Sequence, residues 1–180
     1  MKALVALSTL ITCSLLLGLS ACFAESGAIR PSSTMKSNNS VHTKAWLQEK
    51  LLQANSMLEK NNSDSKILGA RAQIYFELKD YDKAIVDISK AIALDSKVQD
   101  YYYLRALSKG CKKQNKDAIS DLSRAIEIGP ARSSIHYQRA YFYSLLKDYS
   151  ASAADAHKAL QLDPKDYGSL VLLGSADFSQ

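Results

Sequence analysis

Apolar positions along this chain recur with helical spacing. Between residues 43 and 60, Trp46, Leu47, Leu51, Leu52, Met57 and Leu58 recur at helical spacing, which predicts a helix there. From residue 65 the pattern copies itself. Ala84, Ala118 and Ser152 are spaced by 34 residues, as are Ala91, Ala125 and Ala159, and Ala72, Ala106 and Ala140. Two charged positions keep the same register, Arg71, Arg105 and Arg139 with Asp87, Asp121 and Asp155. Self-similarity at such a period marks a row of stacked supersecondary units. Each unit predicts two helices, the first near 66–78, 100–112 and 134–146 and the second near 82–94, 116–128 and 150–162. Lys79-Asp80-Tyr81 and Lys147-Asp148-Tyr149 interrupt the period between them. Gly129-Pro130 and Asp163-Pro164 close the second helices, because proline lacks the amide donor and clashes with the preceding turn.

Small residues at Ala72, Ala84 and Ala91, a 34-residue period and paired helices together resemble the tetratricopeptide repeat. The resemblance implies an all-α fold, a right-handed α-solenoid of three helix-turn-helix repeats at 65–98, 99–132 and 133–166 with flanking N- and C-terminal helices. Residues 43–64 are then expected as an N-terminal capping helix, and 167–180 as a C-terminal capping helix or a truncated fourth repeat. Leu170, Leu173 and Gly174 fall where a fourth copy would place its Leu and Leu-Gly signature. Because Leu170-Val171-Leu172-Leu173 is apolar on every side, either it lies buried against the third copy, or Val171 and Leu172 form a contact surface for a partner or a second copy. There are departures from the family pattern. The first copy ends Asp95-Ser96 where proline is usual, and the middle copy carries Lys113-Gln114-Asn115 at its turn and Lys109 at a commonly aromatic position. The middle copy is expected to be the least rigid.

The family's inward positions map onto Gly69, Gln73 and Phe76, then Tyr103, Leu107 and Gly110, then Tyr137, Tyr141 and Ser144. Of these, Gln73, Phe76, Tyr103, Leu107, Tyr137 and Tyr141 are the expected lining of an open groove for an extended peptide or an amphipathic helix, since tyrosine joins a large contact area to a polar tip. The other reading has some rings packed between copies. The family's carboxylate-gripping clamp uses paired Lys and Asn. Gly69, Gln73, Leu104, Ser134 and Gln138 stand in the corresponding places here, which implies no such clamp and disfavours a cytosolic chaperone adaptor. Arg71 lies nine residues before Asp80 and Asp87 seven after it, so the two can meet across the hairpin. The same holds for Arg105 with Asp121 and Arg139 with Asp155, all expected as structural ion pairs.

The 180 residues are 47% apolar and 23% charged, an ordinary globular balance, and 7 Gly with 3 Pro tell against a turn-rich β-sandwich. The leader changes the picture more. Lys2 is the only charge before Glu25, and the Leu-rich stretch between them reads as a secretory signal or, less simply, an uncleaved anchor. Leu19-Ser20-Ala21-Cys22 resembles the lipobox of bacterial lipoproteins, which implies a signal peptide at 1–22 and lipidation of Cys22. Phe23 after the cysteine implies the outer membrane. The alternative is cleavage after Ala24 and a secreted, non-lipidated protein. Residues 23–42, rich in Ser and Asn, offer little to bury and read as a flexible tether.

Chemistry adds little. His42, His136 and His157 belong to no catalytic motif, and the last two are expected as solvated surface residues. No zinc spacing and no phosphate loop occur, so no catalytic residue, metal or cofactor is expected. Three cysteines make no disulfide framework, and Cys111 is expected as a packed or half-exposed thiol. The run Lys109, Lys112, Lys113 and Lys116 reads as a solvated helix turn or a contact for anionic headgroups or an acidic partner; the net charge of +5 names no partner, and no aromatic interleaving points to nucleic acid. The expected protein is an exported scaffold or adaptor of the cell envelope, not an enzyme, with a protein or peptide partner and membrane contact through its lipid. The alternative is a secreted protein that self-associates through 167–180.

Overall fold

The structure, a computed structural model, describes residues 43–177. The expected signal peptide, Cys22 and the tether at 23–42 lie outside the described residues. Those described form eight helices and no strand: α1 (Lys44–Lys60), α2 (Ser65–Glu77), α3 (Tyr81–Leu94), α4 (Gln99–Cys111), α5 (Asn115–Ile128), α6 (Ser133–Leu145), α7 (Tyr149–Leu162) and α8 (Tyr167–Asp177). The hairpins α2–α3, α4–α5 and α6–α7 stack in sequence to make an α-solenoid, with α1 against α2 at one end and α8 against α7 and α6 at the other.

Each helix of the three hairpins begins one residue earlier than the period predicts, and capping chemistry accounts for part of this. Asp64 accepts from the backbone N–H of Lys66 and Ile67, Asp80 from Lys83 and Asp148 from Ala151, so the first turns of α2, α3 and α7 have their free amides satisfied. The three first helices end alike. Lys79, Lys113 and Lys147 adopt left-handed φ values of 63°, 61° and 62°, a conformation that costs a lysine about 1 kcal/mol relative to glycine. In return, the next residue donates back across the turn, Asp80 to the Tyr75 carbonyl at 2.8 Å, Gln114 to Lys109 and Asp148 to Tyr143 at 3.0 Å. The middle repeat therefore closes through the same bonds as its neighbours although its letters differ.

The core follows the repeat register. Ala72, Ala84, Ala91, Ala106, Ala118, Ala125, Ala140 and Ala159 have no exposed surface, because these are the points where paired helices come closest. Ile88, Leu122 and Ile135 fill the layers between them. Two glycines form notches for rings from the following repeat. A Cβ on Gly69 would lie 2.6 Å from Cε1 of Tyr101, and one on Gly110 would press into the ring of Phe142. Both rings are buried and cannot swing aside.

Alanine is favoured over glycine inside a helix by about 1 kcal/mol, so a purely local view makes Gly69→Ala and Gly110→Ala stabilising. The notches reverse the sign. Overpacking costs roughly 1–3 kcal/mol, and both variants should melt at lower temperature than the parent in a circular-dichroism scan. A raised melting temperature for either would show that its ring is not held in place.

Candidate peptide-binding face

The three arginines are brackets across three helices. Arg71 donates from Nε to Asp87 Oδ2 at 2.6 Å and from Nη2 to Oδ1 at 2.8 Å, while Nη1 reaches back to Asn55 Oδ1 on α1 at 2.9 Å. Arg105 repeats this on Asp121 at 2.9 and 2.6 Å with Ser89 at 3.2 Å, and Arg139 on Asp155 at 2.6 and 2.8 Å with Ser123 at 3.0 Å. Every partner lies sixteen residues before or after its arginine. The planar guanidinium suits this role, since two donors fork onto the carboxylate and one remains for the preceding hairpin. The hydrogen bond to aspartate raises the pKa of Arg71 and Arg139 further above its ordinary value.

Several expectations need correction around these brackets. Lys109 is not a solvated lysine; its side chain is only 19% exposed and its Nζ lies 2.8 Å from Asp121 Oδ2. Lys112 pairs with Asp82 of the preceding repeat, so half of the expected basic run is neutralised within the chain. His136 is buried rather than solvated, with Nδ1 3.0 Å from Asp155 Oδ1, whereas His157 is exposed on α7. Cys111 is half-buried and packs against the core. Among the described residues no cluster of His, Cys, Asp or Glu is arranged to hold a metal ion.

The first helices α2, α4 and α6 carry the six expected groove residues, and the structure divides them. Gln73, Phe76, Tyr103 and Leu107 are buried, the last three within the main hydrophobic core, which corrects the expectation that they line an open trough. Adjacent helices about 8–10 Å apart leave large side chains at these positions in contact with one another. Gln73 donates to Glu77 on its own helix at 3.1 Å. Tyr103 lies beneath the guanidinium of Arg132, 5.5 Å from its ring centroid, and Arg132 is held in turn by Asp100 at 2.5 Å. Tyr137 and Tyr141 on α6 are half-buried.

Gln138 is the residue that sequence reasoning undervalued. One place after Tyr137, it shares the helix face of Ser134 and Tyr141 through i−4 and i+3 spacing. It has no exposed surface, and neither its Oε1 nor its Nε2 has a hydrogen-bond partner. A buried carboxamide without partners is destabilising by about 1–3 kcal/mol. The sequence signal was a single polar letter at a place where the other two repeats have Ala70 and Leu104.

Stacked two-helix units bracketed by arginine define an α-solenoid of the repeat class. The family described as tetratricopeptide repeat matches at residues 65–98 and again at 133–166, and the repeat between them has the same hairpin geometry. Residues 65–98 and 133–166 are tetratricopeptide repeats. Solved structures with the same fold include MamA from Desulfovibrio magneticus, 20% identical over 74% of this chain and 76% of that one with a TM-score of 0.71. YrrB, described as a TPR protein with an unusual peptide-binding site, is 19% identical over 68% of this chain and 63% of its own, with a TM-score of 0.64. The first TPR of Spaghetti (RPAP3), bound to the HSP90 peptide SRMEEVD, is 20% identical over 64% of this chain and 91% of its own, with a TM-score of 0.62. No curated protein matches the chain.

Asp121 serves two cations and Asp87 one, so Asp121→Ala should be the more damaging substitution. Stranding Arg105 and Lys109 together is expected to remove about 3–5 kcal/mol in urea unfolding, with Asp87→Ala smaller. Equal losses would show that Lys109 adds nothing. Alkaline pH supplies a second test. Burial pushes the Tyr103 phenol up to about 12, and Tyr101 and Tyr137 shift in the same direction for the same reason. The folded state thus favours the neutral phenol. Stability should be intact below the ordinary tyrosine value of about 10 and fall as pH rises through about 12. Tyr103→Phe should blunt that fall in melts recorded across this range.

Proposed function

We propose that this protein is a non-catalytic scaffold of the cell envelope that holds a peptide or helical segment of a partner protein against α6. The observation that carries the reading is the pair of half-buried rings of Tyr137 and Tyr141, one turn apart on α6. They supply apolar contact and a polar tip for hydrogen bonding. Such a face suits an uncharged hydrogen-bonding segment. The bound peptides and binding sites of structurally similar repeat proteins support peptide recognition in general. Neutral Gly69, Gln73, Leu104, Ser134 and Gln138 argue against recognition of an acidic C-terminus of the SRMEEVD kind.

The attachment we propose is a lipid on Cys22, motivated by the Leu19-Ser20-Ala21-Cys22 motif and by the Ser- and Asn-rich stretch that follows it. No described helix is long and apolar enough to cross a membrane. Export to the periplasm and outer-membrane retention belong to the same proposal.

Affinity capture from detergent-solubilised envelope tests the binding reading. Tyr141→Ala and Tyr137→Ala should lose the captured protein by at least about tenfold while far-ultraviolet spectra stay native. Capture unchanged in both would remove α6 from the reading. Palmitate labelling tests the anchor, with label expected on the parent and absent from Cys22→Ala. A Cys22 sulfur found oxidised to Cys111 instead of acylated would overturn it.

A further inference from the structure

The second helices of the three hairpins are not equally attached. α3 buries Ala84, Asp87, Ile88 and Ala91, and α5 buries Ala118, Asp121, Leu122 and Ala125. Half-buried Ile92, Ile119 and Ile126 add to the same core. α7 buries Ser152, Asp155, Ala156 and Ala159. A serine thus stands for an alanine, an alanine for the one large aliphatic side chain, and Ala153 where the other copies have Ile85 and Ile119. Ser152 is only 1% exposed and its hydroxyl has no hydrogen-bond partner. Apolar stabilisation scales with the area buried, so α7 has the least of it. Charge takes its place. Asp155 accepts from Arg139 as its counterparts do from theirs, and also lies 3.0 Å from His136 Nδ1. Such a cluster fixes register and adds little net stability. α6 itself is held by Ile135 and Phe142, which belong to the main core. Among the described residues, the core on its other side is Ala140, Ala156 and Leu172, with the rings of Tyr137 and Tyr141 packed against it. Leu172 is buried there, which corrects the expectation that it is a contact residue.

We infer that the seam between α6 and α7 is a built-in hinge: α7 opens from α6 and carries α8 with it, while α6 and the first two repeats stay folded. In a repeat array each unit is stabilised by its own packing and by its neighbours, so a deficit confined to one seam lets that seam open alone. The weakest seam is then in the third repeat and not in the middle one, whose α5 is as well filled as α3. Opening withdraws Ala156 and Leu172 from Tyr137 and Tyr141. The closed form offers these rings half-buried, and the open form offers them whole. A partner that needs the whole rings therefore binds with an affinity scaled by the open fraction. This regulatory consequence rests on the reading of α6 as the binding face, whereas the opening itself does not.

Hydrogen–deuterium exchange of the full-length protein, resolved helix by helix, tests the opening. Amides of α7 should exchange at least about tenfold faster than those of α3 and α5. Ser152→Ala gives α7 the letter of the other two repeats and removes the unpartnered hydroxyl. It should slow exchange in α7 at least about fivefold and leave α3 and α5 unchanged. Equal exchange in α5 and α7, or no slowing in Ser152→Ala, would overturn the inference. So would α1 and α2 exchanging as fast as α7, because the loosening would then be common to both ends of the array. Nitration by tetranitromethane tests the consequence. Tyr137 should react more slowly in Ser152→Ala than in the parent, with half-buried Tyr75 of α2 as the unchanged control. Slowed exchange in α7 with Tyr137 nitration unaltered would disconnect the seam from the rings and sink the regulatory half. Failure of the binding reading looks different: capture is then unchanged in Tyr137→Ala while α7 still exchanges fast.

Discussion

A single guanidinium joins three helices at each step of this solenoid, and the regularity of the stack depends on it. The arginine forks onto an aspartate in its own hairpin and keeps one donor for the hairpin before it. The geometry is a consequence of counting. Partners sixteen residues away on either side belong to the two second helices that flank the first, so one side chain sets both the angle within a repeat and the stacking between repeats. The net gain from such a buried pair is modest, but an unpaired charge between helices is expensive, and that asymmetry excludes other registers. Around this frame, alanines allow close approach and the notches at Gly69 and Gly110 lock each repeat to the next through an aromatic ring.

The brackets also redirect charge that the sequence displays as loose. Asp121 gathers Arg105 and Lys109, and Asp155 gathers Arg139 and His136, so residues suggestive of catalysis or of a basic patch are absorbed into the scaffold. What the proposed reading leaves for recognition is uncharged: the half-buried rings of Tyr137 and Tyr141. Binding of that character relies on shape and hydrogen bonding, and salt should affect it little.

The two ends of the array differ in kind. Asn55 of α1 accepts from Arg71 as Ser89 does from Arg105, so α1 occupies the place of a second helix and closes its end of the stack. At the other end α8 occupies the place of a first helix and leaves Tyr167 and Leu170 uncovered. The array is therefore polar along its axis, with the equivalent of a second helix at one end and of a first helix at the other.

Periodicity by itself determined the helices, their pairing and the meeting of Arg71, Arg105 and Arg139 with their aspartates, because a 34-residue period and helical geometry leave no other partner within reach. Helix starts moved by one residue through the capping carboxylates of Asp64, Asp80 and Asp148, a local effect also written in the letters. Tertiary structure alone decided which side chains remain available. Tyr103 and Tyr137 hold the same repeat position, yet one is buried under Arg132 and the other is half-exposed. Lys109 and His136 likewise look solvated in the sequence, yet in the fold Lys109 is half-buried against Asp121 and His136 is buried. The physical reason is that periodicity is a property of one helix, whereas exposure depends on what the neighbouring helices bring, and those neighbours differ from repeat to repeat.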